Sequence, residues 1–136
     1  MTTQVTHHNP AGLPHNPAFS QAVSVQGPTR IIYVGGQNAV EADGTVASQE
    51  LAAQTVRALQ NLELVLADAG ARLEDVASWS ILVVAGQPLG EAFAGFQQVW
   101  GTRGEPPAIT VAFVAGLANA QFLVEVNAVA VVPQAA

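Results

Sequence analysis

Ala52, Val56, Leu59, Leu62, Leu66 and Ala69 recur at spacings of three and four residues. That period lays one apolar stripe along a helix. Gly70 follows it, where a helix C-terminus takes a glycine. Ser48 is the candidate N-cap, and Glu50 stands in the first turn, where the helix dipole favours an acid. Glu50, Gln54, Arg57, Asn61 and Asp68 make up the opposite, polar face. A helix of this kind, set between strand-forming segments, calls for a sheet to cover its stripe.

The flanking segments supply that sheet. Ser20–Gln26 and Arg30–Gly35 read as strands separated by the turn signal Gly27-Pro28, the second pairing back on the first. Val76–Val84 is nearly all apolar, which predicts a strand buried on both faces. A second helix is predicted from Leu89 to Trp100, with Phe93, Phe96, Val99 and Trp100 as its apolar side. Ala108–Val114 and Gln121–Val132 are the last strands. Both helices belong to crossovers long enough for parallel pairing, and the order is ββ-α-β-α-ββ, an α+β chain. Residues 1–19 hold Pro10, Pro14 and Pro17 and read as an extended arm; residues 20–136 form a single domain.

Composition narrows the function. Half of the 136 residues are apolar and only 10% are charged. So little charge hints at apolar area covered between subunits. Ten acids against four arginines give a net charge of −6, which disfavours nucleic acid. Without lysine there is no Schiff-base amine and no internal aldimine. Without cysteine there is no thiol nucleophile, thiolate metal site or disulfide. His7, His8 and His15 lie on the arm with no acid cluster nearby in sequence, so neither a metal nor a cofactor is expected. Met1-Thr-Thr-Gln-Val lacks the character of a signal peptide, and no apolar stretch approaches the roughly 20 residues that span a bilayer. A cytoplasmic protein without membrane partners is the expectation.

One acid stands out. Glu125 interrupts Phe122-Leu-Val-Glu-Val-Asn-Ala-Val, an otherwise apolar strand. Alternation puts Leu123, Glu125, Asn127 and Val129 on one face. In an apolar cleft such a carboxyl is suited to general acid–base work, and Asn127 would orient it or hold a water. From spacing alone, a solvated glutamate or one paired with an arginine is the commoner arrangement. On the neighbouring strand Ile109, Val111 and Phe113 share a face. With Phe19 and Phe93 they would line an apolar pocket, although each taken alone is more often core or interface.

Three stretches are similar to the Rid (YjgF) family. Pro17-Ala-Phe-Ser-Gln-Ala-Val23 resembles its Gly-Pro-Tyr-Ser-Gln-Ala motif. Val34-Gly-Gly-Gln37 resembles its Ser-Gly-Gln segment. Pro107-Ala-Ile-Thr110 followed by Leu123-Val-Glu-Val126 resembles its C-terminal signature. The resemblance spans about residues 16 to 132. It implies a chorismate-mutase-like fold, one mixed β-sheet with two helices packed on one face. It also implies a homotrimer with small-molecule clefts between subunits, backbone groups near Gly36 facing the cleft. Typical members hydrolyse reactive enamines and imines such as 2-aminoacrylate. In them a motif arginine grips the substrate carboxylate and the glutamate orients water or moves protons. Here Ile109 stands where that arginine belongs, and Phe19 where a tyrosine is common. A guanidinium clamps a carboxylate with two hydrogen bonds and isoleucine does not. The resemblance therefore implies an imine or enamine hydrolase for a substrate without that carboxylate, with Glu125 as its acid–base group. The alternative is a non-catalytic trimer that binds a small apolar ligand.

Overall fold

The computed structural model describes residues 2–135. The helical stripe forms α1, Leu51–Asp68, and the second helix is α2, Leu89–Trp100. The strands are β1 (Gln4–His8), β2 (Ala22–Gln26), β3 (Thr29–Gln37), β4 (Val76–Val84), β5 (Ala108–Val114) and β6 (Val124–Pro133). Four of them make a mixed sheet in the order β3-β6-β4-β5. β6 runs antiparallel to both neighbours, and β4 and β5 are parallel across the α2 crossover.

Alternation decides which side of the sheet is covered. Val124, Val126, Ala128 and Ala130 of β6 lie beside Val76, Trp79, Ile81 and Val83 of β4, all buried. Leu51, Leu59, Leu62 and Leu66 of α1, with Ala92, Phe96 and Trp100 of α2, close over them. Trp79 meets Phe96 and Trp100 edge-on at 5.2 and 5.9 Å, an arrangement that favours the ring quadrupoles. The other side of β4 is only half-buried or exposed, so the strand is covered on one face rather than the expected two.

The helix ends follow their local chemistry. At the C-terminus of α1, Gly70 takes φ +76°, its N–H donates to Ala67, and the Ala71 N–H donates to Leu66. That is a Schellman closure, which a glycine allows. The Arg30 guanidinium donates to Ala69 and Gly70 there, a cation at the negative end of the helix. At the other end the N-cap is Glu50, not Ser48. The Ser48 hydroxyl instead accepts the Glu50 N–H, two residues on, in a turn ahead of the helix.

Two polar residues of α1 turn inward. Gln54 and Asn61 are buried, at 0% and 8% exposure. Gln54 donates to the carbonyls of Ser48 and Gln121 and accepts the Leu123 N–H. Asn61 donates to the carbonyls of Asn38 and Val40. Loops crossing α1 bring backbone groups that need partners, and these amides satisfy them, so the solvent face is narrower than the sequence suggests.

The N-terminal region departs from a plain arm. β1 pairs antiparallel with β2, and that two-stranded ribbon is separate from the main sheet. β2 therefore does not pair back with β3, which instead pairs along its length with β6. Ser20 ties the ribbon down. Its N–H donates to Pro107, its hydroxyl donates to Pro106, and the His7 Nδ1 lies 2.8 Å from that hydroxyl.

The two helices cross closely at Gly95. A Cβ there would sit 2.7 Å from the Ala52 carbonyl oxygen and 3.0 Å from the Thr55 Cβ. Gly95→Ala is expected to destabilise the fold by up to about 2 kcal/mol. Overpacking against backbone costs about 1–3 kcal/mol and outweighs a gain of about 1 kcal/mol in helix propensity. Urea denaturation of the two proteins measures the difference.

Candidate functional site

The uncovered face of the sheet carries the acid. Glu125 pairs with Leu82 and Asn127 with Ser80, and both side chains point away from the helices. Val129 and Val131 continue the row along β6, opposite Tyr33 and Ile31 of β3. Tyr33 is 78% exposed and Ile31 51%, a large apolar exposure on edge strand β3. Glu125 and Asn127 are half-buried.

Glu125 is held against a glycine. β3 breaks register with β6 between Val34 and Gln37, and Gly36 lies in that bulge. A Cβ at Gly36 would meet the Glu125 carboxyl carbon at 2.6 Å and Oε2 at 2.7 Å. Only a residue without a side chain leaves the acid its place. The backbone on both sides is pinned. Asn38 donates to the Val124 carbonyl next to the acid, and Asn61 holds Asn38 and Val40. Gln54 holds Gln121 and Leu123, the segment leading into β6. Gly36→Ala should push the flexible end of Glu125 aside without unfolding the chain. The expected result is a stability change within about 1 kcal/mol. Any Glu125-dependent turnover falls on the order of 10²-fold, the scale of a 1 Å misplacement. Melting curves and steady-state rates on one preparation check both.

The remaining candidates fall elsewhere. Ile109, Val111 and Phe113 pair with Trp79, Ile81 and Val83, which places them on the helix side of the sheet. Ile109 and Val111 pack on the core there. Val111 and Phe93 line a small apolar cavity with Ile81, Leu89, Ala92 and Phe96. Phe113 is 54% exposed near the C-terminal end of edge strand β5, and Phe19 is half-buried beside Ser20. So within one chain Glu125, Gly36 and Asn127 come together. Phe93, Ile109, Val111 and Phe113 do not join them, because the sheet lies between. The residues of β5 on the acid's face are Ala108, Thr110, Ala112 and Val114. Ser80 and Thr110 share that face with Glu125; Thr110 belongs to the motif stretch, on the face opposite Ile109, while Ser80 lies outside every motif. The pairing of β4 with its two neighbours brings them together.

The chain as a whole has known counterparts. The family model described as Endoribonuclease L-PSP matches residues 12–132. The chain belongs to that family, also called Rid or YjgF. It is 34% identical to YyfB of Yersinia pestis, a member of the conserved Rid protein family. The TM-score is 0.82, over 93% of this chain and 97% of that one. A YjgF/YER057c/UK114-family member from Mycobacterium tuberculosis is 27% identical, with a TM-score of 0.65 over 95% and 100% of the two chains. A protein of unknown function from Pseudomonas aeruginosa is 25% identical, with a TM-score of 0.65 over 96% and 93%. Comparison with curated proteins finds no match.

Ile109, which pairs with the buried Trp79, is turned toward the helices. The arginines that the chain does have are engaged elsewhere. Arg57 lies 3.5 Å from Glu41, and Arg72 3.9 Å from Glu74. Arg103 bridges Glu63 and Glu74, and Arg30 closes α1. His7 and His8 contact the hydroxyls of Ser20 and Ser24. No described helix is long and apolar enough to cross a membrane.

Proposed function

We propose that this Rid-family chain works as a homotrimer that hydrolyses a small reactive imine or enamine lacking the usual carboxylate. The observation that carries the reading is Glu125, half-buried on an uncovered sheet face and backed by Gly36. A face bearing Ile31, Tyr33, Leu82 and Val129 gains free energy when further copies cover it. Covering it encloses the acid in an apolar cleft between protomers. In that cleft Glu125 takes a proton from water as the oxygen attacks the imine carbon. It returns the proton to nitrogen, and the carbinolamine then collapses to a carbonyl compound and ammonia or an amine. Backbone groups near Gly36 and the Asn127 amide orient the substrate. Such compounds already react with water, so modest acceleration suffices.

Two features favour a small uncharged substrate over RNA or a carboxylate. The net charge is −6, and each of the four arginines is held by a carboxylate or a helix end. None stands beside Glu125 on its face of the sheet.

The test uses imines generated in solution by an amine oxidase or an amino-acid oxidase. Imines without a carboxylate should disappear faster with the protein present, and 2-aminoacrylate should not. Sedimentation should give three times the 14.0 kDa protomer mass. A monomer, or no acceleration of any imine, would overturn the proposal. Saturable stabilisation by neutral aromatics without turnover would favour the non-catalytic binder, for which the exposed Tyr33 and Ile31 are the supporting observation.

A further inference from the structure

Strand register sets three neutral polar side chains in one row on the face that carries Glu125. Ser80 of β4 pairs with Thr110 on one side and with Asn127 on the other. The adjoining row holds Ala112, Leu82 and Glu125, two hydrocarbons and the acid. On the opposite face the amides of Gln54 and Asn61 are engaged by backbone groups. Among the described residues, the side chains of Thr110, Ser80 and Asn127 have no such partner within the chain. If the face is covered, these groups must find hydrogen bonds or carry a desolvation penalty.

Their chemistry selects what satisfies them. Two hydroxyls and one amide all donate and accept, and none carries charge. The one charge beside them is the Glu125 carboxylate, and no arginine stands on this face. An anionic group placed on the row would face that carboxylate with no cation to offset it. A carboxamide or an alcohol would be matched. Neighbouring strands lie about 4.8 Å apart, and alternate residues along a strand about 7 Å apart. The row is therefore about 10 Å long and lies about 7 Å from the acid.

We infer that Thr110, Ser80 and Asn127 form the specificity-determining part of the site and take a neutral carboxamide or alcohol end of the ligand. This rests on the reading of Glu125 as the group that acts on the C=N bond. The reacting carbon then lies about 7 Å, roughly a short alkyl chain, from the recognised polar end.

Butyramide and butyrate, equal in size and differing in charge, test the inference on the full-length protein. Each is titrated while the backbone and side-chain amide signals of residues 80, 110 and 127 are followed by NMR. Butyramide should saturate and move those signals, and butyrate should bind at least 10-fold more weakly. The double variant S80A/T110V should weaken butyramide at least 10-fold, with a melting curve to confirm folding. Asn127→Asp, which keeps the volume and adds a negative charge, should do the same. Equal binding of butyrate, no binding of butyramide, or unchanged binding by both variants would overturn the inference. Butyramide binding that follows the row in a protein without imine hydrolysis would sink the proposed reaction and leave the ligand chemistry standing.

Discussion

Replacing Glu125 by glutamine should lower kcat for imine hydrolysis by about 10²–10⁴-fold, the range that positioned acid–base groups supply. Glutamine keeps the length and volume of the side chain, so the contact with Gly36 survives. It cannot take a proton from water, so the loss belongs to the chemical step. KM should change little, because the amide still fills the same space. A shorter acid gives the complementary result. Glu125→Asp keeps the carboxyl but draws it back from Gly36, and activity should lie between the other two proteins. Steady-state rates on one imine, with melting curves as controls, decide the matter. If Glu125→Gln instead lowers the melting temperature and leaves turnover intact, the acid is a structural residue and the proposed reaction is lost.

The largest expected effect on stability lies on the other side of the sheet. Gln54 is fully buried and serves three backbone groups, the carbonyls of Ser48 and Gln121 and the Leu123 N–H. Gln54→Ala strands all three and leaves a void. Each unsatisfied buried group costs about 1–3 kcal/mol, partly relieved if water enters the void. We expect a loss of about 3–5 kcal/mol, large against a typical total of 5–15 kcal/mol. Gln54→Leu fills the void but strands the same groups, so it should be nearly as destabilising. Urea unfolding with an unchanged m-value and a lower midpoint reports the loss directly. A leucine variant as stable as the parent would show that the volume, not the hydrogen bonds, matters. The segment Gln121–Leu123 leads into β6, so both variants should also lower turnover under conditions where they remain folded.

Much of this fold is legible from residues alone, and the exceptions share a cause. The three-and-four spacing through Leu59, Leu62 and Leu66 with Gly70 behind it is local, and α1 forms there. Val76–Val84, Leu89–Trp100 and Ala108–Val114 form their elements with the predicted bounds. β1 escaped notice because its partner, β2, lies beyond three prolines. Gln54 and Asn61 look like solvent residues because the carbonyls they serve belong to distant loops. Period-two alternation shows that Ile109, Val111 and Phe113 share a face, but not which face. That depends on pairing with Trp79, Ile81 and Val83, which no local pattern encodes. The same pairing brings Thr110 beside Ser80, where a sequence motif directs attention to Ile109. Glu125 stands out in the sequence because a charge in an apolar strand is rare, and Gly35-Gly36 reads as a bend; that the bend lies against the acid depends on the pairing of β3 with β6.

The order β3-β6-β4-β5 has a consequence for how the molecule comes into being. β6 follows β5 in the chain yet takes an inner place, so a nascent chain that has reached β5 still has a gap between β3 and β4. Those two strands have unpaired edges and no common neighbour until the final segment slides in, as the keystone closes an arch. Glu125 arrives on that keystone. The acid and the glycine that backs it, 89 positions apart in the chain, meet only when that keystone is seated.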